Sequence, residues 1–277
     1  MKNVIVRSLT GIIYIGIIIG ALLAGRSWML ALTLLFTLLA VDEFNRISDS
    51  HKLNPGLRVF DLITACLPSV MIYVFMSLLL FEGIILGIAY VACIIIRFII
   101  PLYIKTDNPL AQTAHSMMTQ LYVAWPLAAM LATYSLSPAI ATLMFVMIWL
   151  NDTGAFCVGS LLGRHKLFER ISPKKSWEGF FGGFIFAIAA GVVSGMIFTD
   201  SMFTIFSIPG LAVLGAVVSV MSTWGDLVES QIKRTLGIKD SGHLLPGHGG
   251  ILDRIDSLLL VAPSTLLVLL VLYISSI

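Results

Sequence analysis

The sequence predicts an all-α, polytopic membrane protein with about nine transmembrane helices and a cytoplasmic N-terminus. Three observations carry this. Only 12% of the 277 residues are charged and 58% are hydrophobic, against about 25% charged in an ordinary soluble domain. The apolar residues fall in runs close to the ~20 residues that cross the hydrocarbon as a helix. With the N-terminus placed inside, every Lys and Arg except Arg26 falls on the cytoplasmic side, Arg97 near the cytoplasmic end of its span and the rest in loops. That bias fixes N-terminus in and C-terminus out, and so an odd number of spans.

The expected spans begin with 8–25 and 27–43, joined so closely that they form a tight helical hairpin. Lys2 and Arg7 precede the first run as in a signal peptide, but the run exceeds the ~7–15 residues of a signal core and is read as an uncleaved anchor. Runs 60–81, 83–101 and 118–135 complete an N-terminal part, 1–135, of plain apolar helix with polar punctuation. Arg97 and His115 show no evident partner there, and Arg97 is expected to snorkel toward the interface. Runs 138–158, 178–198, 204–225 and 257–275 build the C-terminal part, 136–277. Cys66, Cys93 and Cys157 fall inside runs without metal-binding spacing and are expected as small buried side chains. No repeat or low-complexity tract interrupts the chain.

Two polar blocks stand out, 151–179 and 226–256. They hold 8 and 9 of the 32 charged residues, both on the cytoplasmic side. A dense polar segment in so apolar a chain must meet water or build a site at the membrane surface. Asp253 and Asp256 lie three apart, on one face if a helix starts here. They can offset the helix dipole, or form a hard oxygen site for Mg²⁺ that bridges to substrate phosphates. Asp226, Glu229 and Ser230 share a helix face where the eighth span ends. Asp226 is favoured as a second metal ligand, Glu229 less so. Lys233, Arg234 and Lys239 suit either lipid headgroups or substrate phosphates. Pro246, Gly247, Gly249 and Gly250 surround His248, and such glycines permit an anion-binding nest of backbone amides. In the first block, Ser172-Pro173-Lys174-Lys175 reads as a helix start, with serine as cap and proline first. The lysines there make a phosphate pocket or simply face water. Asn151 and Asp152 end the sixth span and are expected to contribute to the site.

Ser230-x-x-Lys233-Arg234, Lys239-Asp240-x-Gly242-His243 and Pro246-Gly247-His248-Gly249-Gly250-x-x-Asp253-Arg254-x-Asp256 together resemble the signature of the phosphatidate cytidylyltransferases. The segments Asn151-Asp152-Thr153 and Ser172-Pro173-Lys174-Lys175-Ser176-x-Glu178-Gly179 are similar to that family too. The resemblance implies transfer of the cytidylyl group of CTP to phosphatidic acid, giving CDP-diacylglycerol and pyrophosphate. It implies an integral membrane protein with Mg²⁺ and room for a second cation, a homodimer, and membrane lipids but no nucleic acid as partners. The short chain without an organelle-targeting extension is expected, multi-pass, in a bacterial inner (cytoplasmic) membrane. Carried over by residue, Asp226, Asp253 and Asp256 are the metal ligands and, with Lys233, the catalytic set. Ser172, Lys174, Lys175, Ser230, Arg234, Lys239, His248, Gly249, Gly250, Asn151 and Asp152 would bind substrate. Two other readings compete. A CTP-dependent lipid kinase would release CDP instead of pyrophosphate. An anionic solute transporter would show repeats and mid-bilayer polar residues, which the sequence lacks.

Overall fold

The computed structural model describes residues 2–47, 54–104, 108–198, 207–242 and 249–275. The chain divides into two compact units, Met1–Ser135 with Asp240–Ile255, and Leu136–Lys239 with Asp256–Ile277. Among the described residues, seven helices are long and apolar enough to cross a membrane, against the nine expected. The two remaining runs are helical, but the described apolar stretch of the first, Leu9–Ala24, is shorter. The other, over 109–136, is divided by a π-helical turn.

In the first unit, α1 (Lys2–Ala24) and α2 (Arg26–Ile47) are joined by Gly25 alone, at φ +102°. That left-handed conformation favours glycine. Asn54 caps α3 (Pro55–Ala65) by accepting from the Gly56 N–H at 2.8 Å. Pro68, lacking an N–H, interrupts the helix at Cys66 before α4 (Leu67–Met76). After α5 (Leu80–Tyr103), α6 (Pro109–Met118) passes through the π turn Thr119–Ala124 into α7 (Trp125–Leu136). The wide turn lies just ahead of Pro126, whose missing donor disturbs the regular ladder. Ile18, Met29, Leu57, Leu127 and Met130 are fully buried here.

Arg97 does not snorkel. It is fully buried on α5, with Nε 3.3 Å from Oδ1 of Asp61 on α3, which is equally buried. Ser116 accepts from Arg97 Nε at 3.1 Å and donates to Asp61 at 2.5 Å. Thr64 accepts from the guanidinium, which also lies 4.9 Å from the Phe60 ring centre. Tertiary packing supplies a counter-ion, so the side chain need not reach for water. His115 also finds a partner, in Asn45 Oδ1 at 2.9 Å. The cysteines differ from expectation as well, since Cys157 is exposed and Cys66 and Cys93 are half-buried.

The second unit is built on α8 (Pro138–Leu162), α9 (Trp177–Ile197), α10 (Ile208–Thr235) and the greater part of α11 (Leu252–Ser275). Ser137 caps α8. A Cβ at Gly182 would fall 2.5 Å from Val158 Cβ, so the glycine lets α9 approach α8 closely. Asn151 and Asp152 do not end the span. They lie inside α8, which continues to Leu162, and Asn151 Oδ1 accepts from the Ser219 hydroxyl of α10 at 2.6 Å.

The described chain is helical as expected, apart from one short hairpin. β1 (Lys166–Phe168) and β2 (Ser172–Ser176) form an antiparallel hairpin, pairing Lys166 with Ser176 and Phe168 with Ser172. Ser172-Pro173-Lys174-Lys175 is therefore strand, not helix start. A two-stranded ribbon has only edges, where proline is tolerated. The cap of α9 is Ser176, whose Oγ accepts from Gly179 N at 3.2 Å.

Candidate metal centre and substrate cavity

A polar stripe runs down α10 at helical spacing: Ser219, Ser222 and Thr223, Asp226, Glu229 and Ser230, Lys233. It crosses an otherwise apolar helix, so it must be satisfied from neighbouring elements. Ser219 meets Asn151, as described. Ser222 O accepts from Ser257 Oγ of α11 at 3.1 Å. Beside them Gly225 carries no side chain, and a Cβ there would sit 2.7 Å from Asp256 O and 3.0 Å from Ser257 Cα. That missing methyl lets the backbones of α10 and α11 meet.

This approach gathers three acids. Asp226 and Glu229 of α10 and Asp256 of α11 each present a carboxylate oxygen, all within 4.8 Å of one another. Carboxylates so placed repel unless cations share the space. Lys175 of β2 lies 2.7 Å from Asp226 Oδ2 and donates to Thr223 O at 3.4 Å. Lys233 pairs with Glu229 one turn along the helix. Ser230 donates to Asp226 Oδ1 at 3.1 Å. Hard oxygen donors in a small cluster are the ligand set of a divalent cation such as Mg²⁺, and the group can hold a metal ion.

Of the three acids, Asp226 lines a cavity of about 400 Å³, together with residues that include Asn151, Asp152, Lys174, Lys175 and Thr223. Phe156 and Phe180 form part of its apolar wall. Glu178 binds the hairpin entrance, accepting from Arg164 N at 3.1 Å and lying 2.6 Å from His165 Nδ1.

Eight of the expected site residues thus meet in the second unit: Asn151, Asp152, Lys174, Lys175, Asp226, Ser230, Lys233 and Asp256. Ser172 is half-buried at the start of β2. Arg234 is exposed and donates to Ile171 O at 3.5 Å and Ile238 O at 3.3 Å, which ties the hairpin to the end of α10. Lys239 is exposed at the unit's edge. Asp253, Gly249 and Gly250 belong to the first unit. There Asp253 Oδ2 accepts from Ser241 N at 2.9 Å and Gly250 N at 2.8 Å, and Gly249 sits at φ +84°. His248 lies outside the described residues, as do His243, Pro246 and Gly247. Glu229, rated below its neighbours from sequence, stands inside the acid cluster. Ser219 and Thr223 were not singled out, although the stripe to which they belong is legible at i, i+3 and i+4 spacing.

A model of the family described as "Cytidylyltransferase family" matches residues 5–272. A phosphatidate cytidylyltransferase of Staphylococcus epidermidis is 35% identical over 265 residues, covering 93% of this chain and 96% of the relative. One from Staphylococcus haemolyticus is 34% identical over 263 residues with the same coverage. One from Staphylococcus saprophyticus is 48% identical over 119 residues, 43% of this chain and 44% of its own length.

Proposed function

The chain belongs to the cytidylyltransferase family, and from that premise we propose how its residues carry out the reaction. The protein transfers the cytidylyl group of CTP to phosphatidic acid, giving CDP-diacylglycerol and pyrophosphate for phospholipid synthesis. A phosphate oxygen of the lipid attacks the α-phosphorus of CTP, a new P–O bond forms, and the bond to the bridging oxygen of the β-phosphate breaks. Phosphate monoesters lose their second proton near pH 6, so the nucleophile is already largely ionised at neutral pH. The catalytic problem is to bring two polyanions together, not to remove a proton.

The observation that carries the reading is the acid cluster beside a cavity with two lysines at its wall. Asp226, Glu229 and Asp256 would hold Mg²⁺, with Asp253 joining them as the resemblance implies. When bound, the ion would draw charge from the CTP phosphates and the departing pyrophosphate. Lys174 and Lys175 offset phosphate charge from the hairpin side. Lys233 balances Glu229, and Ser230 orients Asp226. Asn151 and Asp152 present polar groups to the substrate from α8. Ser172, Arg234, Lys239 and the glycine-rich segment with His248 would complete the phosphate contacts. The work of catalysis falls to 136–277 in this account, and 1–135 supplies the remaining membrane helices. Nine spans, with the N-terminus inside, would bring both polar blocks to the cytoplasmic face of the inner membrane, where CTP is found. The homodimer and the room for a second cation follow from the family resemblance.

Product analysis tests the reading. Purified protein with CTP, Mg²⁺ and phosphatidic acid should release pyrophosphate in step with lipid-bound cytidylyl. Release of CDP instead would assign the protein to lipid phosphorylation.

A further inference from the structure

The first unit contains a buried carboxylate that the chemistry above does not use. Glu43 lies on α2, 7% exposed, and spends its oxygens on one short segment. Oε2 accepts from Ile251 N at 2.7 Å, Oε1 accepts from Leu252 N at 3.2 Å, and Ser241 Oγ donates to Oε1. The first amides of a helix have no partner within it, and here α11 begins at Leu252. A carboxylate from another helix satisfies them and suits the positive end of the dipole.

Two glycines make room for it. A Cβ at Gly250 would collide with the Glu43 carboxylate, and one at Gly242 would lie 3.0 Å from Glu43 Cδ. Ser241 links Glu43 to the signature acid. Its Oγ is within hydrogen-bond distance of Oε1 of Glu43 and, at 2.9 Å, of Asp253 Oδ2. Asp253 also accepts from the backbone of Ser241 and Gly250. The two carboxylates together hold Ser241 and Gly250–Leu252.

We propose that Glu43 is a positioning residue for cytidylyl transfer, clamping Ser241, Ile251 and Leu252 so that Asp253 and the first turn of α11 are held in register. The proposal rests on the transfer reading. Glu43 is buried with both oxygens committed to Ser241, Ile251 and Leu252, so it acts through the placement of Asp253. Its effect should therefore appear in kcat, not in the affinity for CTP.

The test compares Glu43→Gln and Glu43→Ala with wild type, each rate expressed per folded protein from thermal unfolding in detergent. Misplacing a reacting group by an ångström costs up to about 100-fold, so Glu43→Ala should lose about that factor in kcat with KM for CTP changed less than about threefold. Glu43→Gln keeps one acceptor oxygen and should fall between the two. Gly250→Ala should lower kcat in wild type yet add little in the Glu43→Ala background, because the colliding carboxylate is gone. Wild-type kcat in folded Glu43→Ala, or independent multiplication of the two losses, would overturn the positioning role alone. Wild-type protein that forms no CDP-diacylglycerol would overturn the transfer reading beneath it.

Discussion

Gly225→Ala perturbs the acid cluster without altering any acid. The added Cβ would sit 2.7 Å from Asp256 O and 3.0 Å from Ser257 Cα, both part of the backbone and unable to swing aside. Ordinary contact begins at 3.4 Å, so α10 and α11 must part by about 0.7 Å next to Asp226. Overpacking of this kind costs roughly 1–3 kcal/mol of stability. The functional effect should be larger. Mg²⁺ holds its oxygens at about 2.0–2.1 Å in a demanding geometry, and 0.7 Å is a third of that bond. Turnover should fall about 10- to 100-fold, and the Mg²⁺ concentration giving half-maximal rate should rise. The assay follows label from the α-phosphate of CTP into lipid across a Mg²⁺ titration, with thermal unfolding normalising for folded protein. A folded variant with wild-type turnover and an unchanged Mg²⁺ response would refute the claim that helix approach at Gly225 sets the metal geometry.

Further outcomes follow from the same geometry. Asp226→Asn and Asp256→Asn should each lower turnover by about 100-fold or more, since charge stabilisation at the reacting phosphates is lost. Asp253→Asn should abolish turnover with little loss of folded protein, and normal activity there would remove it from the ligand set. Lys175→Ala should raise KM for CTP by about tenfold, the scale of a lost charge-assisted hydrogen bond, as read from initial rates at saturating lipid. Arg97→Met strands the buried Asp61 and should cost about 3–5 kcal/mol of stability. Asp61→Leu with Arg97→Met should recover most of it, measured by unfolding in detergent.

The parts of this protein that local pattern governs were legible in its sequence. Apolar run length located the helices, and helical spacing placed Asp226, Glu229 and Ser230 on one face of α10. Where partners lie far apart in the chain, pattern gave nothing. Arg97 looked like a snorkelling residue because Asp61 sits 36 positions away on another helix. Glu43 attracted no notice because its partner Ser241 is 198 positions distant. The Ser-Pro-Lys-Lys segment satisfied the rules for a helix start equally well as an edge strand. Pairing with 166–168 decided for the strand and moved the cap to Ser176. Seven of the nine expected runs are helices long and apolar enough to span among the described residues, and a short described stretch and a π turn set the other two apart.

The central claim is that Asp226, Glu229 and Asp256 hold the divalent cation on which transfer depends. Mn²⁺ shares the oxygen preference of Mg²⁺ and is visible by electron paramagnetic resonance. Detergent-purified wild type titrated with Mn²⁺ should show saturable binding that Mg²⁺ displaces. The folded Asp226→Asn/Asp256→Asn variant should leave the added Mn²⁺ free in solution. Equal Mn²⁺ binding by wild type and that variant would contradict the account.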